Sequence, residues 1–215
     1  TIIYCSAFGR FRVNEVELAR QFDVGRTVAR DVMTRLQSLG MIEKDSRQRW
    51  ATVPLDAERV ANLYEIRGQL EPLALKRALP ALDRTLVRKM RSRLDEVIAV
   101  YPAATPSDMD DLEFDLHTRC LMHCPNKEML SALLRTRCLL TLSKHVLGSA
   151  IVMPEADPFL AEHRRVFDAI LSGDGDATAI AMSDHLASAC PKVVDRLATF
   201  VGTNNPPDDS FVIAM

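Results

Sequence analysis

The segment from Val13 to Ile42 constrains the fold most, because its apolar residues recur at helical spacing in two short runs. Asp23-Val24-Gly25 separates the runs and predicts a tight turn. Arg26, Arg30 and Thr34 are spaced four residues apart and lie off the apolar face. This layout predicts a helix-turn-helix that meets DNA, while a solvated surface helix is the alternative that the pattern leaves open. The apolar positions expected to pack are Val13, Leu18, Ala19, Phe22, Val28, Val32, Leu36 and Leu39.

The residues after Gly40 predict a small hairpin. Met41-Ile42 and the run from Trp50 to Val53 favour strands, and the polar, basic segment between them favours a turn. A hairpin directly after the second helix would form a wing beside it.

Charge is divided unevenly along the chain. Residues 1–52 contain nine Lys and Arg against six Asp and Glu, whereas the remaining 163 residues contain 18 against 23. The predicted DNA-binding segment is therefore the basic part. Two such modules on one operator, supplied by a homodimer, are more plausible than a single module.

These N-terminal residues resemble the winged helix of the GntR superfamily of bacterial transcription regulators. The resemblance implies that Arg26 and Arg30 contact operator DNA from the start of the recognition helix, with Thr27 assisting. Only residues 1–8 represent the helix that normally precedes the motif. The matching segments are Asn14-Glu15, Glu17-Leu18-Ala19, Val24 to Asp31, and Leu36 to Ile42.

Two departures from that family concern sequence specificity. Val16 stands where the family usually has arginine. Ser46-Arg47-Gln48-Arg49 stands where the family usually has a glycine-rich wing tip. We therefore expect a DNA preference that differs from the family norm.

Composition is typical of a globular protein with a packed core. Hydrophobic residues make up 47% of the 215 residues. No run approaches the roughly 20 apolar residues of a membrane helix, and no signal sequence is visible. The five cysteines are an odd number and favour reduced thiols. We expect a cytoplasmic protein without membrane contact.

From Asp56 onward the spacing predicts helices almost throughout. Breaks are expected at residues 79–80, 101–107, 123–126, 148–158 and 173–175. They leave about six helices, which is typical of an antiparallel bundle, with a kink or shift at Pro72. The fold is expected to be mainly α: a winged-helix domain at 1–54, a helical effector and dimerisation domain at 55–202, and a C-terminal tail at 203–215.

Three histidines and a glutamate of this helical region are candidate metal ligands. Glu113 and His117 are four residues apart, and His163 and His185 lie on either side of a Gly-Asp-Gly turn. Taken singly, each histidine is more typical of a surface or core residue than of a ligand.

Residues 60–200 are similar to the FCD effector domain, the helical partner of one large branch of GntR regulators. The resemblance implies a divalent metal, zinc or nickel-like, held by Glu113, His117, His163 and His185, although the family usually has Asp at the first position. Such a ligand set leaves coordination positions open to an anionic effector. The matching segments are Tyr64 to Arg67, Leu70 to Ala74, Leu116-His117 with Asn126, Glu162-His163, Asp168 to Ile170, Gly173-Asp174 and His185-Leu186.

Two residue groups admit competing interpretations. His117 shares a helical face with Cys120 and Cys124, which would make a soft zinc site, although buried cysteines are far more often small apolar residues. Arg67 could form a surface pair with Glu71. The resemblance instead implies that Arg67 faces the effector cavity, where its guanidinium would bind a carboxylate.

The sequence therefore predicts a ligand-responsive transcription regulator and not an enzyme. Its expected partners are double-stranded operator DNA, a small carboxylate effector and a second copy of the chain. One alternative is an enzyme that activates water or oxygen at the three-histidine centre. Another is a degenerate regulator that lacks the metal.

Overall fold

A computed structural model describes residues 1–101, 103–138 and 158–215. Within these residues the chain forms nine α-helices and a four-stranded sheet, mainly α as predicted. The expected break at 148–158 lies, except for Pro158, outside the described residues. The α-helices are α1 (Ile2–Phe8), α2 (Glu15–Gln21), α3 (Arg26–Ser38), α4 (Ala57–Ala78), α5 (Arg84–Val100), α6 (Pro106–Phe114), α7 (Lys127–Leu134), α8 (Phe159–Ser172) and α9 (Gly175–Thr203).

The N-terminal domain is a winged helix-turn-helix. The Asn14 side chain caps α2 by accepting the backbone N–H of Val16 at 3.0 Å. The predicted wing is present as an antiparallel pair in which Glu43 lies opposite Ala51. The strands are β1 (Phe11–Val13), β2 (Ile42–Lys44), β3 (Trp50–Thr52) and β4 (Val212–Ala214).

The fourth strand comes from the far end of the chain. β4 pairs antiparallel with β1, so the strand order is β2-β3-β1-β4. The Asn14 N–H donates to the Phe211 carbonyl at 2.8 Å, and the Phe211 side chain is buried in the N-terminal core. Residues 203–215, expected as a tail, thus contribute a strand and a core side chain beside the winged helix.

The buried face of α3 differs from the predicted one. Ala29 and Met33 are buried, whereas Val28 and Val32 are exposed. Phe22, also expected to pack, is 58% exposed. Asp31 and Arg35 form an exposed ion pair at 2.9 Å on the valine side of the helix. Packing the two valines would move these charges toward the core, and burying charge is unfavourable.

The helical domain packs around a separate apolar core. Leu75 of α4, Leu94 of α5 and Phe167 of α8 are fully buried there. α4 continues through the buried Pro72 without a break in its assigned span. The chain after α6 passes through a π-helix (Asp115–Cys120) and a 3₁₀ turn (Leu121–His123), and a further 3₁₀ turn (Leu79–Ala81) follows α4.

Candidate DNA-binding surface and metal centre

The three residues predicted to contact DNA lie together at the start of α3. Arg26, Thr27 and Arg30 are all exposed. The Arg30 guanidinium lies 3.1 Å from Glu15 of α2, whose other oxygen accepts from the Trp50 indole at 3.4 Å. This network joins the recognition helix to α2 and to the wing.

The wing turn is held by a carboxylate instead of by glycine. Asp45 accepts the backbone N–H groups of Arg47 and Arg49, at 2.8 and 2.9 Å. These hydrogen bonds, chiefly the one from Arg49, lower the pKa of Asp45 to about 2. Gln48 has φ 59°, a left-handed conformation that glycine adopts more easily. The turn therefore presents Arg47 to solvent on a fixed backbone.

The four predicted metal ligands converge in the helical domain. Glu113 lies in the last turn of α6, His117 lies in the π-helix, and His163 and His185 lie on α8 and α9. One potential ligand atom from each residue lies within 4.8 Å of the others, and the three histidines are buried. The four side chains named by the family resemblance thus lie close together, and their role as ligands remains a prediction.

Local structure explains this convergence. Gly173, with φ 82°, ends α8, and Asp174 caps α9 by accepting two backbone N–H groups, so the two helices turn back on each other. The π-helix is fixed at its first residue, because the buried Asp115 accepts from Arg93 at 2.8 Å and from Arg119 at 2.5 Å. Single π-helical turns are frequent at functional sites.

The Nε2 atoms of the histidines face one another and Glu113. His117 Nε2 lies 3.1 Å from His185 Nε2 and 3.7 Å from Glu113 Oε2. His163 Nε2 lies 3.4 Å from Glu113 Oε1 and makes no well-aligned hydrogen bond with any residue that the structure describes. The Glu113 side chain is 24% exposed, so the cluster is accessible to solvent on this side.

The opposite ring nitrogens are each bound to an acceptor. His117 Nδ1 lies 2.5 Å from Glu71 Oε2, and His185 Nδ1 lies 3.1 Å from Glu162 Oε2. His163 Nδ1 donates to the Phe159 carbonyl at 2.9 Å. An acceptor at Nδ1 selects the tautomer with its proton there, which leaves Nε2 as a lone-pair donor.

Electrostatics favour a neutral His185 and an ionised Glu113. Burial and the neighbouring His163 lower the pKa of His185 to about 4. Burial alone would raise the pKa of Glu113, but the surrounding histidines, His117 foremost, outweigh it and hold the pKa well below its usual range. Neutral imidazoles and a carboxylate are the forms that bind a metal.

The residues therefore fit a divalent metal. Two imidazole lone pairs lie 3.1 Å apart, with the buried His163 Nε2 beside them. Because lone pairs repel each other, this arrangement is favourable only around a cation or a shared proton. Three nitrogen donors and one oxygen donor suit zinc, nickel, cobalt or manganese.

The competing cysteine site does not form. The Cys120 thiol donates to Met90 Sδ at 3.8 Å, and the Cys124 thiol lies 4.0 Å from the Asn126 carbonyl. Among the described residues, no cluster joins these sulfurs to His117, whose two nitrogens face Glu71 and the histidine cluster. The thiols are buried as small apolar residues, the interpretation favoured over a soft site, and burial raises the pKa of Cys120 to about 12.

Arg67 forms the pair with Glu71 that its spacing indicates, but not on the surface. It pairs with Glu71 through a 2.5 Å contact from Nε to Oε1, but this pair is buried and not on the surface. The guanidinium lies over the Tyr64 ring at 4.9 Å. Its Nη2 is buried and makes no hydrogen bond within residues 1–101, 103–138 and 158–215. A charged donor is thus available for an anion, as the effector prediction requires.

Sequence reasoning missed the residues that hold the imidazoles. Spacing indicates Glu71 only as a partner of Arg67, and Glu162 only as a neighbour of His163 in the chain. The available signal was an acidic residue placed among apolar positions of a helix, which predicts a buried and paired carboxylate.

Comparison with known proteins agrees with this architecture. The family model described as "FCD domain" matches residues 62–188. The chain is 24% identical over 182 residues to the uncharacterised HTH-type transcriptional regulator YdhC of Bacillus subtilis, covering 83% of this chain and 80% of that protein. It is 23% identical over 194 residues to the galactonate operon transcriptional repressor of Escherichia coli, covering 81% and 83%.

A solved structure shows the same fold. The match is to a GntR transcriptional regulator from Rhodococcus sp. RHA1, with a TM-score of 0.56, 18% identity, and coverage of 90% of this chain and 88% of that one. None of the described helices is long and apolar enough to cross a membrane.

Proposed function

We propose a mode of regulation for this chain, which belongs to the FCD-domain branch of the GntR family of transcription regulators. A divalent metal and a small organic acid control its binding to DNA. The metal would be held by Glu113, His117, His163 and His185. The acid would be bound by Arg67, and Arg26, Thr27 and Arg30 would contact the operator.

One observation carries the metal assignment. Three buried imidazoles direct their Nε2 atoms to one carboxylate while each Nδ1 is held by a separate acceptor. Metal-binding histidines almost always have such an acceptor on the second nitrogen. A core histidine with only a packing role needs no such convergence.

The effector assignment depends on charge. Arg67 is buried within the helical domain, its Nη2 has no hydrogen-bond partner among the described residues, and Glu113 leaves one side of the cluster partly exposed. A metal with open positions and a guanidinium both favour carboxylates, so an organic acid is the ligand class that fits.

Regulation would act through a homodimer in the cytoplasm. An effector that binds one arrangement of the helices better shifts the population toward it, and this changes how two winged helices fit two half-sites. The relatives named above are regulators, which favours this role over a metal-dependent enzyme.

The direct test is metal content by mass spectrometry after purification and zinc reconstitution. We expect about one zinc per chain in the wild type and its loss in Glu113→Ala and His185→Ala, because each removes a ligand. His123→Ala is the matched control and should retain the metal, since His123 lies in the 3₁₀ turn directly after the π-helix and outside the cluster. A wild type without metal after reconstitution would overturn the metal assignment and leave Arg67 as the only anchor.

A further inference from the structure

Glu71 connects the arginine to the histidine cluster. Its Oε1 lies 2.5 Å from Arg67 Nε and its Oε2 lies 2.5 Å from His117 Nδ1. Arg67 and Glu71 are each 2% exposed, and His117 is 5% exposed. One buried carboxylate thus contacts both a candidate anion donor and a candidate metal ligand.

We propose that Glu71 is a positioning residue that couples Arg67 to His117, so that the state of Arg67 sets the metal affinity of a centre it does not touch. This inference rests on the proposed metal centre. It adds a route by which an acid bound at Arg67 and the metal affect each other's binding.

The coupling follows from shared hydrogen bonding. A carboxylate held by Arg67 is fixed in orientation, and it in turn fixes the plane and tautomer of His117. An anion at Nη2, which has no hydrogen-bond partner among the described residues, would further restrain the same guanidinium and so the orientation of Glu71 toward His117. Thermodynamic linkage then requires the metal to change anion affinity by the same factor.

Glu162 provides an internal control. It holds His185 Nδ1 at 3.1 Å in the same way, but its other described ionic partner is Lys192, at 3.7 Å, and not an arginine of α4. Both acids should therefore support the metal, but only Glu71 should transmit a change at Arg67.

The experiment measures the zinc dissociation constant by competition with a chromophoric chelator, with zinc as the only ligand. Glu71→Gln and Glu162→Gln should each raise the dissociation constant roughly 10- to 100-fold. Arg67→Met should raise it roughly 3- to 10-fold. The Arg67→Met effect should vanish in the Glu71→Gln background and persist in the Glu162→Gln background.

Two results would overturn the coupling while the wild type still binds zinc. One is an unchanged dissociation constant in Arg67→Met, and the other is an effect that persists undiminished without the Glu71 carboxylate. Wild-type protein that binds no zinc would instead overturn the metal centre itself.

A milder variant and a spectroscopic measurement guard against misfolding. Arg67→Lys keeps the positive charge but lacks the planar Nε donor, so it should weaken zinc binding in the same direction. Nitrogen NMR of the wild type should show the His117 proton on Nδ1, and Glu71→Gln should perturb this signal while leaving that of His163 unchanged. A His117 proton on Nε2 in the wild type would refute the proposed role of Glu71.

Discussion

Replacing Phe211 tests whether the C-terminal strand is an integral part of the N-terminal domain. Phe211 is 1% exposed and belongs to the core that also contains Phe11, Val13 and Trp50. Truncating a buried phenylalanine to alanine costs about 3–5 kcal/mol. The ring contacts Phe22 at 5.9 Å between centroids, and Phe22 is mostly exposed, so that neighbours can partly fill the cavity. We expect a loss of about 3 kcal/mol in the free energy of unfolding for Phe211→Ala.

The chain offers its own reporter for this measurement. Trp50 is the only tryptophan, and it lies in β3 of the same sheet. Urea unfolding followed by its fluorescence reports the N-terminal domain, while far-ultraviolet circular dichroism reports mainly the helices. Phe211→Ala should lower the midpoint of the fluorescence transition at an unchanged slope.

Ile213→Ala is the matched control on the same strand. Ile213 is 40% exposed, so its truncation should change the free energy of unfolding by only about 0.5 kcal/mol. If Phe211→Ala changed the Trp50 transition no more than Ile213→Ala does, the packing of β4 against the N-terminal core would be refuted.

Two further predictions concern charge. Arg30→Ala should lower the magnitude of the slope of log binding constant against log salt concentration by about one for random-sequence duplex DNA, because one phosphate contact is lost. Arg35→Ala, at the far end of α3, should leave this slope unchanged. Equal effects of the two substitutions would argue against the assigned surface. In metal-free protein, the His185 pKa of about 4 lies below its ordinary 6.5, so the unfolded chain binds a proton that the folded chain does not as the pH falls through this window. His185 should therefore contribute about 3 kcal/mol to the loss in the free energy of unfolding between pH 6.5 and pH 4, measured by urea unfolding with a chelator present. The loss should be smaller by this amount in His185→Asn, and an equally steep loss in that variant would contradict the assignment.

The sequence predicted the parts of this molecule that depend on local pattern. The helix-turn-helix, the wing and the helical breaks within the described residues follow from spacing and turn residues. The fold of the family was predicted by resemblance, and it is confirmed. The same resemblance predicted that the four candidate ligands lie together. Spacing alone could not do so, because the number of residues between two side chains does not determine how far apart they lie in space.

Features that depend on tertiary packing could not be predicted in this way. The face of α3 was misplaced because Val28 and Val32 match a helical apolar period as well as Ala29 and Met33 do. The acceptors Glu71 and Glu162 were missed because a charge on a helix is usually solvated, and only packing shows it to be buried. β4 was missed because three residues are too short a run to predict a strand.

The pairing of β1 with β4 has a consequence for how the protein is made. Arg12 lies opposite Ile213, so the pairing of β1 cannot be completed until about 200 further residues have been synthesised. At roughly 5–20 residues per second, this takes on the order of 10–40 seconds on the ribosome. Until then the β1 edge and the cavity that receives Phe211 stay open, and an unpaired edge invites pairing with another chain. β4 therefore completes the sheet only after the whole helical domain has been made, long after the other three strands.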